Sequence, residues 1–181
     1  MKKRARKFVM ALLIIFIAAL FLYEPLIKLY YPLKHENLID TYSVKYNIDK
    51  YLVMGVISSE SHFNENAKSH KGAKGLMQLT ESTSHWCNEH FNLNYEQIDL
   101  YNAEINIEIG CLYLEYLIDT YENIETALAA YNAGPGNVNK WLKDKNYSED
   151  GETLIKIPFE ETEKYVKKVI KRRNVYFDLY K

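Results

Sequence analysis

The sequence is short of net charge, of cysteine and of strand-like alternation, and each shortage removes a class of answer. Lys and Arg total 23 against 24 Asp and Glu, a net charge of −1, so no global basic field points to nucleic acid as a partner. Only two cysteines are present, Cys87 and Cys111, and without histidines at matching spacing they make a poor zinc site. Few windows alternate apolar and polar residues with period two, which leaves little room for a sheet. There is no internal repeat and no low-complexity linker. What remains is ordinary for a folded chain: 48% hydrophobic and 26% charged residues, so disorder is not expected over any long stretch. With 181 residues the chain can hold one domain with a single core and a short appendage.

The appendage is visible at the N-terminus. Lys2, Lys3, Arg4, Arg6 and Lys7 precede an uninterrupted apolar run from Phe8 to Tyr23, which meets Glu24 and Pro25. Cations followed by such a run direct a chain to the membrane for export. The run is a little short of the roughly 20 residues of a membrane span, although the apolar and aromatic residues from Pro25 to Leu33 extend it. No small-x-small cleavage site follows and no cysteine is placed for lipid attachment, so a retained signal anchor is expected over a cleaved signal peptide. Residues 1–34 are therefore expected to form a cytoplasmic basic tip, an anchor helix and a juxtamembrane segment, with residues 35–181 as the domain on the extracytoplasmic side. Secretion after signal cleavage is the alternative. Export permits a disulfide between Cys87 and Cys111, which would restrain the unfolded chain by about 3 kcal/mol; otherwise they are two separate buried thiols.

From about Leu33 onward the pattern is helical. Leu38, Ile39, Tyr42 and Tyr46 recur at helical spacing, and Asp49 is placed to cap a second helix that carries Leu52, Val53, Val56 and Ile57 on its buried face. Glu60 follows one turn after Val56 and Ile57 and leans to the same apolar side. The Asn, Ser and Gly content of residues 62–75 predicts an irregular loop, with a helix from "LMQLTESTSHWCNEHF" after it. Further helices are expected over "AEINIEIGCLYLEYLIDTY" and "NIETALAAYNAG", the latter stopped by Gly134, Pro135 and Gly136. The stretch from Val138 to Pro158 reads as turn-rich, and an amphipathic helix begun by Pro158 closes the chain.

A carboxyl beside Ile57, Phe63 and Met77 loses solvation, which disfavours its charged form and raises its pKa. Such a group can donate a proton near neutral pH, as a glycosidic oxygen requires before it can leave. Position alone does not separate this role from that of a helix-end carboxylate satisfied by backbone amides. Five stretches in order add to it: "ES" at Glu60 and Ser61, "AKSHKGAKGLMQL" from Ala67, "NIEIGCLYL" from Asn106, "ALAAYNAGPGNV" from Ala127 and "ETEKYV" from Glu161. Together they resemble the catalytic signature of the soluble lytic transglycosylase (SLT) family, whose fold is mostly α and lysozyme-like, of the goose type.

The resemblance implies a peptidoglycan lytic transglycosylase that cleaves between N-acetylmuramic acid and N-acetylglucosamine and leaves 1,6-anhydro ends. It implies Glu60 as the single acid/base, and Ser69, Gln78, Tyr131, Asn132 and Tyr165 as substrate-binding residues. No metal or cofactor is implied; the partners are peptidoglycan glycan strands and the cytoplasmic membrane, with no nucleic acid. Bland readings stand beside these, with Gln78 as a surface amide, Tyr131 as core and Asn132 as a helix C-cap. Asn106 and Gly110 read as structural. The chain departs from the commonest family pattern at Thr80 and Glu81, where Met-Pro is usual. A lysozyme-type muramidase that uses Glu65 or Glu81 as second carboxylate, and a non-catalytic glycan-binding module, are the competing readings. The cations Lys167, Lys168, Lys171, Arg172 and Arg173 read as the solvated face of the last helix.

Overall fold

Eight α-helices account for the regular structure among the described residues of the computed structural model, which describes residues 2–181. Met1 and the side chains of Lys2, Lys3 and Ala5, part of the expected basic tip, lie outside that description. The chain divides into two units, the first ending at Lys34 and the second comprising His35–Lys181. The first is essentially one helix, α1 (Lys2–Tyr30), with Pro25 inside it. Its stretch Arg6–Tyr30 is long and apolar enough to cross a membrane, and none of its most apolar window is buried within the protein. A signal sequence would have the same character.

The second unit contains α2 (Glu36–Lys45), α3 (Lys50–Glu60), α4 (Glu81–His90), α5 (Ala103–Tyr121), α6 (Ile124–Ala133), α7 (Pro135–Leu142) and α8 (Glu160–Tyr180). Two helices are buried on nearly all sides: α3 from Leu52 to Ser59 and α5 from Asn106 to Leu114. A helix without a polar face belongs at the centre of a layered core. For α5 this exceeds the single stripe expected, because α2, α4 and α6 pack around it. The most extensive helix pairing is α3 against α8. There a Cβ on Gly55 would lie 3.0 Å from both Val169 O and Arg173 N of α8, so any side chain at this position would push the α8 backbone away by a few tenths of an ångström.

Local chemistry sets the helix ends. Asp49 caps α3 by accepting from Tyr51 N–H at 2.9 Å, and its other oxygen receives Arg173 Nε at 2.6 Å. Asn102 and Asn123 cap α5 and α6 in the same way. Gly134, at φ 86, ends α6, and Pro135 begins α7 at once. The expected turn-rich stretch therefore starts only after Leu142, since Val138 and Trp141 are apolar at helical spacing and bury against the unit. Cys87 on α4 and Cys111 on α5 are both fully buried and both free. Of the two readings left open, the structure has two separate buried thiols and no disulfide. They act as small core residues, and burial pushes the Cys87 thiol up to about 12.

Candidate active site

Glu60 is the last residue of α3 and stands at the edge of a cleft of about 370 Å³. The same cleft is lined by Ser69, Gln78, Thr80, Tyr131 and Asn132, with Lys71, Phe159, Glu161 and Thr162 at its sides. Four of the five expected binding residues are thus brought together with Glu60 across a wide span of sequence. Tyr165 is the exception: it is buried and not part of the cleft wall. Its hydroxyl, one of two buried side-chain polar atoms without a hydrogen-bond partner among the described residues, is directed at the Glu60 carboxyl without reaching full hydrogen-bond geometry. A hollow of about 640 Å³ elsewhere in the unit shares no lining residue with this cleft.

The wall opposite α3 comes from the loop that precedes α4. Residues 76–79, expected to open the next helix, form a tight turn instead. Gly75 has φ 75, and a Cβ there would lie 2.1 Å from Leu100 O; Gln78 adopts φ 50, an unusual conformation for a non-glycine residue. Asn106 on α5 fixes the turn from below. Its Oδ1 accepts from Met77 N–H at 2.8 Å, and its Nδ2 donates to Lys74 O at 3.0 Å and Leu100 O at 2.8 Å. Tyr131 completes the hold by donating from Oη to Met77 O at 2.8 Å. Gly110, one turn along α5, leaves space that Met77 Sδ fills. The structural reading of Asn106 and Gly110 is therefore correct, and Tyr131 both supports the turn and faces the cleft.

Gln78 is not a surface amide: its Nε2 donates to Gly75 O at 2.8 Å and Ala67 O at 3.2 Å, which leaves its carbonyl oxygen for the cleft. Ser69 accepts Ala73 N–H at 3.0 Å and keeps its own proton available. Asn132 accepts Thr162 Oγ1 at 2.8 Å, a tie between α6 and α8. Thr80 caps α4 through Thr83 N–H at 3.1 Å, and Glu81 pairs with Lys74 at 2.6 Å. The departure at these two positions is therefore absorbed by a polar cap and an ion pair.

The electrostatics at Glu60 are dominated by burial, which raises its pKa to about 7; the Tyr165 hydroxyl and the Lys168 charge pull in the opposite direction and do not prevail. Two cations of α8, one helical turn apart, hold the C-terminus of α3. Lys168 Nζ donates to Ser59 O at 2.8 Å, while the buried Arg172 donates to Ser58 O and, at 2.8 Å, to Ser58 Oγ. They satisfy carbonyls that a helix end otherwise leaves open and place positive charge where the helix dipole is negative. The cationic run of α8 is accordingly not one solvated face, because Arg172 is inside and Arg173 is paired with Asp49. Sequence reasoning passed over Lys168 and Arg172 as anchors; their i, i+4 spacing was the available signal.

The two candidate second carboxylates of the competing muramidase reading are elsewhere. Glu65 pairs with His35 at 3.2 Å and Glu81 with Lys74, and neither lines the cleft. Glu161 does line it. Among the described residues no group of three or more His, Cys, Asp or Glu side chains is placed to hold a metal ion.

A model of the transglycosylase SLT domain family matches residues 37–154. The chain belongs to this family. It is 36% identical over 144 residues to the soluble lytic murein transglycosylase of Salmonella typhimurium, a match that covers 77% of this chain and 22% of that protein. It is 31% identical over 158 residues to the membrane-bound lytic murein transglycosylase C of Actinobacillus pleuropneumoniae, covering 75% and 43% respectively. The lytic transglycosylase Slt of Pseudomonas aeruginosa, solved as an inactive variant with one glutamate replaced by glutamine, superposes with a TM-score of 0.72 at 31% identity over 82% of this chain and 24% of that one. The SLT domain member described here therefore has the expected mostly α, lysozyme-like fold, and it spans about a quarter of the length of the soluble relatives it matches.

Proposed function

We propose that this SLT domain protein is a membrane-anchored lytic transglycosylase that cleaves the β-1,4 bond between N-acetylmuramic acid and N-acetylglucosamine and leaves 1,6-anhydro-muramic ends. The observation that carries the reading is a half-buried carboxyl with a pKa of about 7 opening on a polar cleft. At neutral pH a substantial share of Glu60 is protonated, so it can give its proton to the leaving glycosidic oxygen. The substrate's own 2-acetamido group stabilises the anomeric carbon from the opposite face, which removes the need for a second carboxylate. Glu60, now ionised, takes the proton of the C6 hydroxyl as that oxygen closes on the anomeric carbon. Lys168 and Tyr165 stabilise the ionised form in this second step. Ser69, Gln78, Tyr131 and Asn132 bind and orient the sugars. The apolar helix α1 tethers the domain, with the basic tip in the cytoplasm and the domain on the extracytoplasmic side; membrane-bound relatives support the tether.

A hydrolytic muramidase is the second reading, and Glu161 gives it a foothold as another carboxylate on the same cleft. Mass spectrometry of products released from purified peptidoglycan by the full chain in detergent, with Glu60→Gln alongside, separates the two. Anhydro-muramic ends absent with the variant support the transglycosylase. Reducing muramic ends make the protein a muramidase, and no products from folded protein make it a glycan-binding module.

A further inference from the structure

Beside the cleft lies a second hollow of about 360 Å³, formed by Ser82, Thr83 and Trp86 of α4, Tyr113 and Tyr116 of α5, and Pro135 at the start of α7. It assembles from three helices, and no motif that marked the catalytic region points to its tryptophan. Trp86 is 37% exposed, although a large aromatic surface normally seeks burial. One face of its indole is occupied by the His90 ring, stacked at 4.7 Å and 14° between planes. Phe91 and Tyr116 brace it at 5.8 and 5.0 Å. The indole is thus braced by neighbouring rings and still partly exposed to the hollow.

The hollow shares no lining residue with the cleft, but their walls touch. Tyr131, on the cleft wall, packs on Tyr113 with ring centroids 5.6 Å apart, and Tyr113 packs on Trp86 at 6.1 Å. Along the other edge, Thr80 of the cleft touches both Ser82 Oγ at 2.9 Å and Thr83 Oγ1 at 2.8 Å. A flat apolar ring rimmed by hydroxyls that retain hydrogen-bonding capacity suits a pyranose, which has an apolar face and equatorial hydroxyls. Charge plays little part, since no acidic or basic side chain lines the hollow.

We infer that this hollow is a distal glycan subsite, in which Trp86 stacks on an N-acetylhexosamine ring of the same strand that occupies the cleft. The inference rests on the glycan reading of the Glu60 cleft. It makes strand length a determinant of affinity: a chain long enough to reach from Glu60 past Tyr131 to Trp86 gains a contact that a short one lacks.

The test is calorimetric titration of the full chain in detergent, carrying Glu60→Gln so that the ligand survives, with chitin tetrasaccharide and octasaccharide as probes. The octasaccharide is expected to bind about tenfold more tightly, and adding Trp86→Leu, which keeps apolar packing against His90 and Phe91 but removes the flat face, is expected to erase the advantage while leaving tetrasaccharide affinity within about twofold. The indole N–H resonance of Trp86 should shift with the octasaccharide and not with the tetrasaccharide. A length advantage that survives Trp86→Leu, or no advantage in the parent, overturns the subsite and leaves the cleft reading intact. An equal loss for both probes makes Trp86 a support of the fold and also overturns it. No binding of either probe overturns the glycan reading of the cleft itself.

Discussion

Replacing Glu60 by Gln is expected to stabilise the folded protein, by an amount that grows from about pH 4.5 and is complete from about pH 7. In the unfolded chain the carboxyl ionises near its ordinary 4.5, whereas in the fold burial holds it protonated up to about 7. Between these values the folded state binds the extra proton, so stability falls as pH rises through the window and is constant on either side. The full difference corresponds to about 3 kcal/mol. Solvent at the cleft mouth screens part of it, which leaves an expected range of about 1–3 kcal/mol. Gln is nearly isosteric with the protonated acid and has no such window. Urea unfolding of both chains in detergent, followed by near-ultraviolet circular dichroism at pH 4 and pH 8, measures the difference directly. The variant should match the parent at pH 4 and exceed it at pH 8 by about 1–3 kcal/mol in unfolding free energy. A difference independent of pH, or one in the opposite direction, refutes the claim that burial dominates at Glu60.

Lys168→Met removes a cation that lowers the Glu60 pKa, so the alkaline limb of the pH–rate profile should move to higher pH; an unmoved or lowered limb excludes the coupling. Asn106→Ala leaves Met77 N–H, Lys74 O and Leu100 O without their partner and should cost about 3 kcal/mol, read as a fall in Tm of roughly 10 °C, with turnover falling as the Gly75–Gln78 turn loosens. Thiol titration should find Cys87 and Cys111 unreactive in the native protein and both reactive in denaturant without reductant; silence in denaturant would mean that a disulfide exists.

The lack of period-two patterning and the spacing of apolar residues were enough to give a mostly helical chain, because helix periodicity is a local property. Caps such as Asp49 and the stop at Gly134–Pro135 were equally legible, since a cap acts within a few residues of itself. Residues 76–79 were not: "LMQL" has good helix formers, but Asn106 and Tyr131, distant in sequence, take the backbone groups of Met77 and hold a turn there. Cys87 and Cys111 were equally opaque, because spacing carries no information about the packing that leaves both thiols free. The tail shows the same limit: Lys168 and Arg172 look like solvated cations until the approach at Gly55 brings them to the carbonyls of Ser58 and Ser59.

The sequence alone singled out Glu60 as the candidate acid, through a buried position and the resemblance of five ordered motifs, and it showed the apolar N-terminal helix through local composition. Only the tertiary structure decided that Tyr165 stands behind Glu60 rather than in the cleft, that Glu161 and not Glu65 or Glu81 shares that cleft, and that Trp86 opens beside it. The physical reason is common to all three. Burial, proximity and exposed aromatic surface depend on which helices pack together, and that is settled by contacts between residues far apart in the chain.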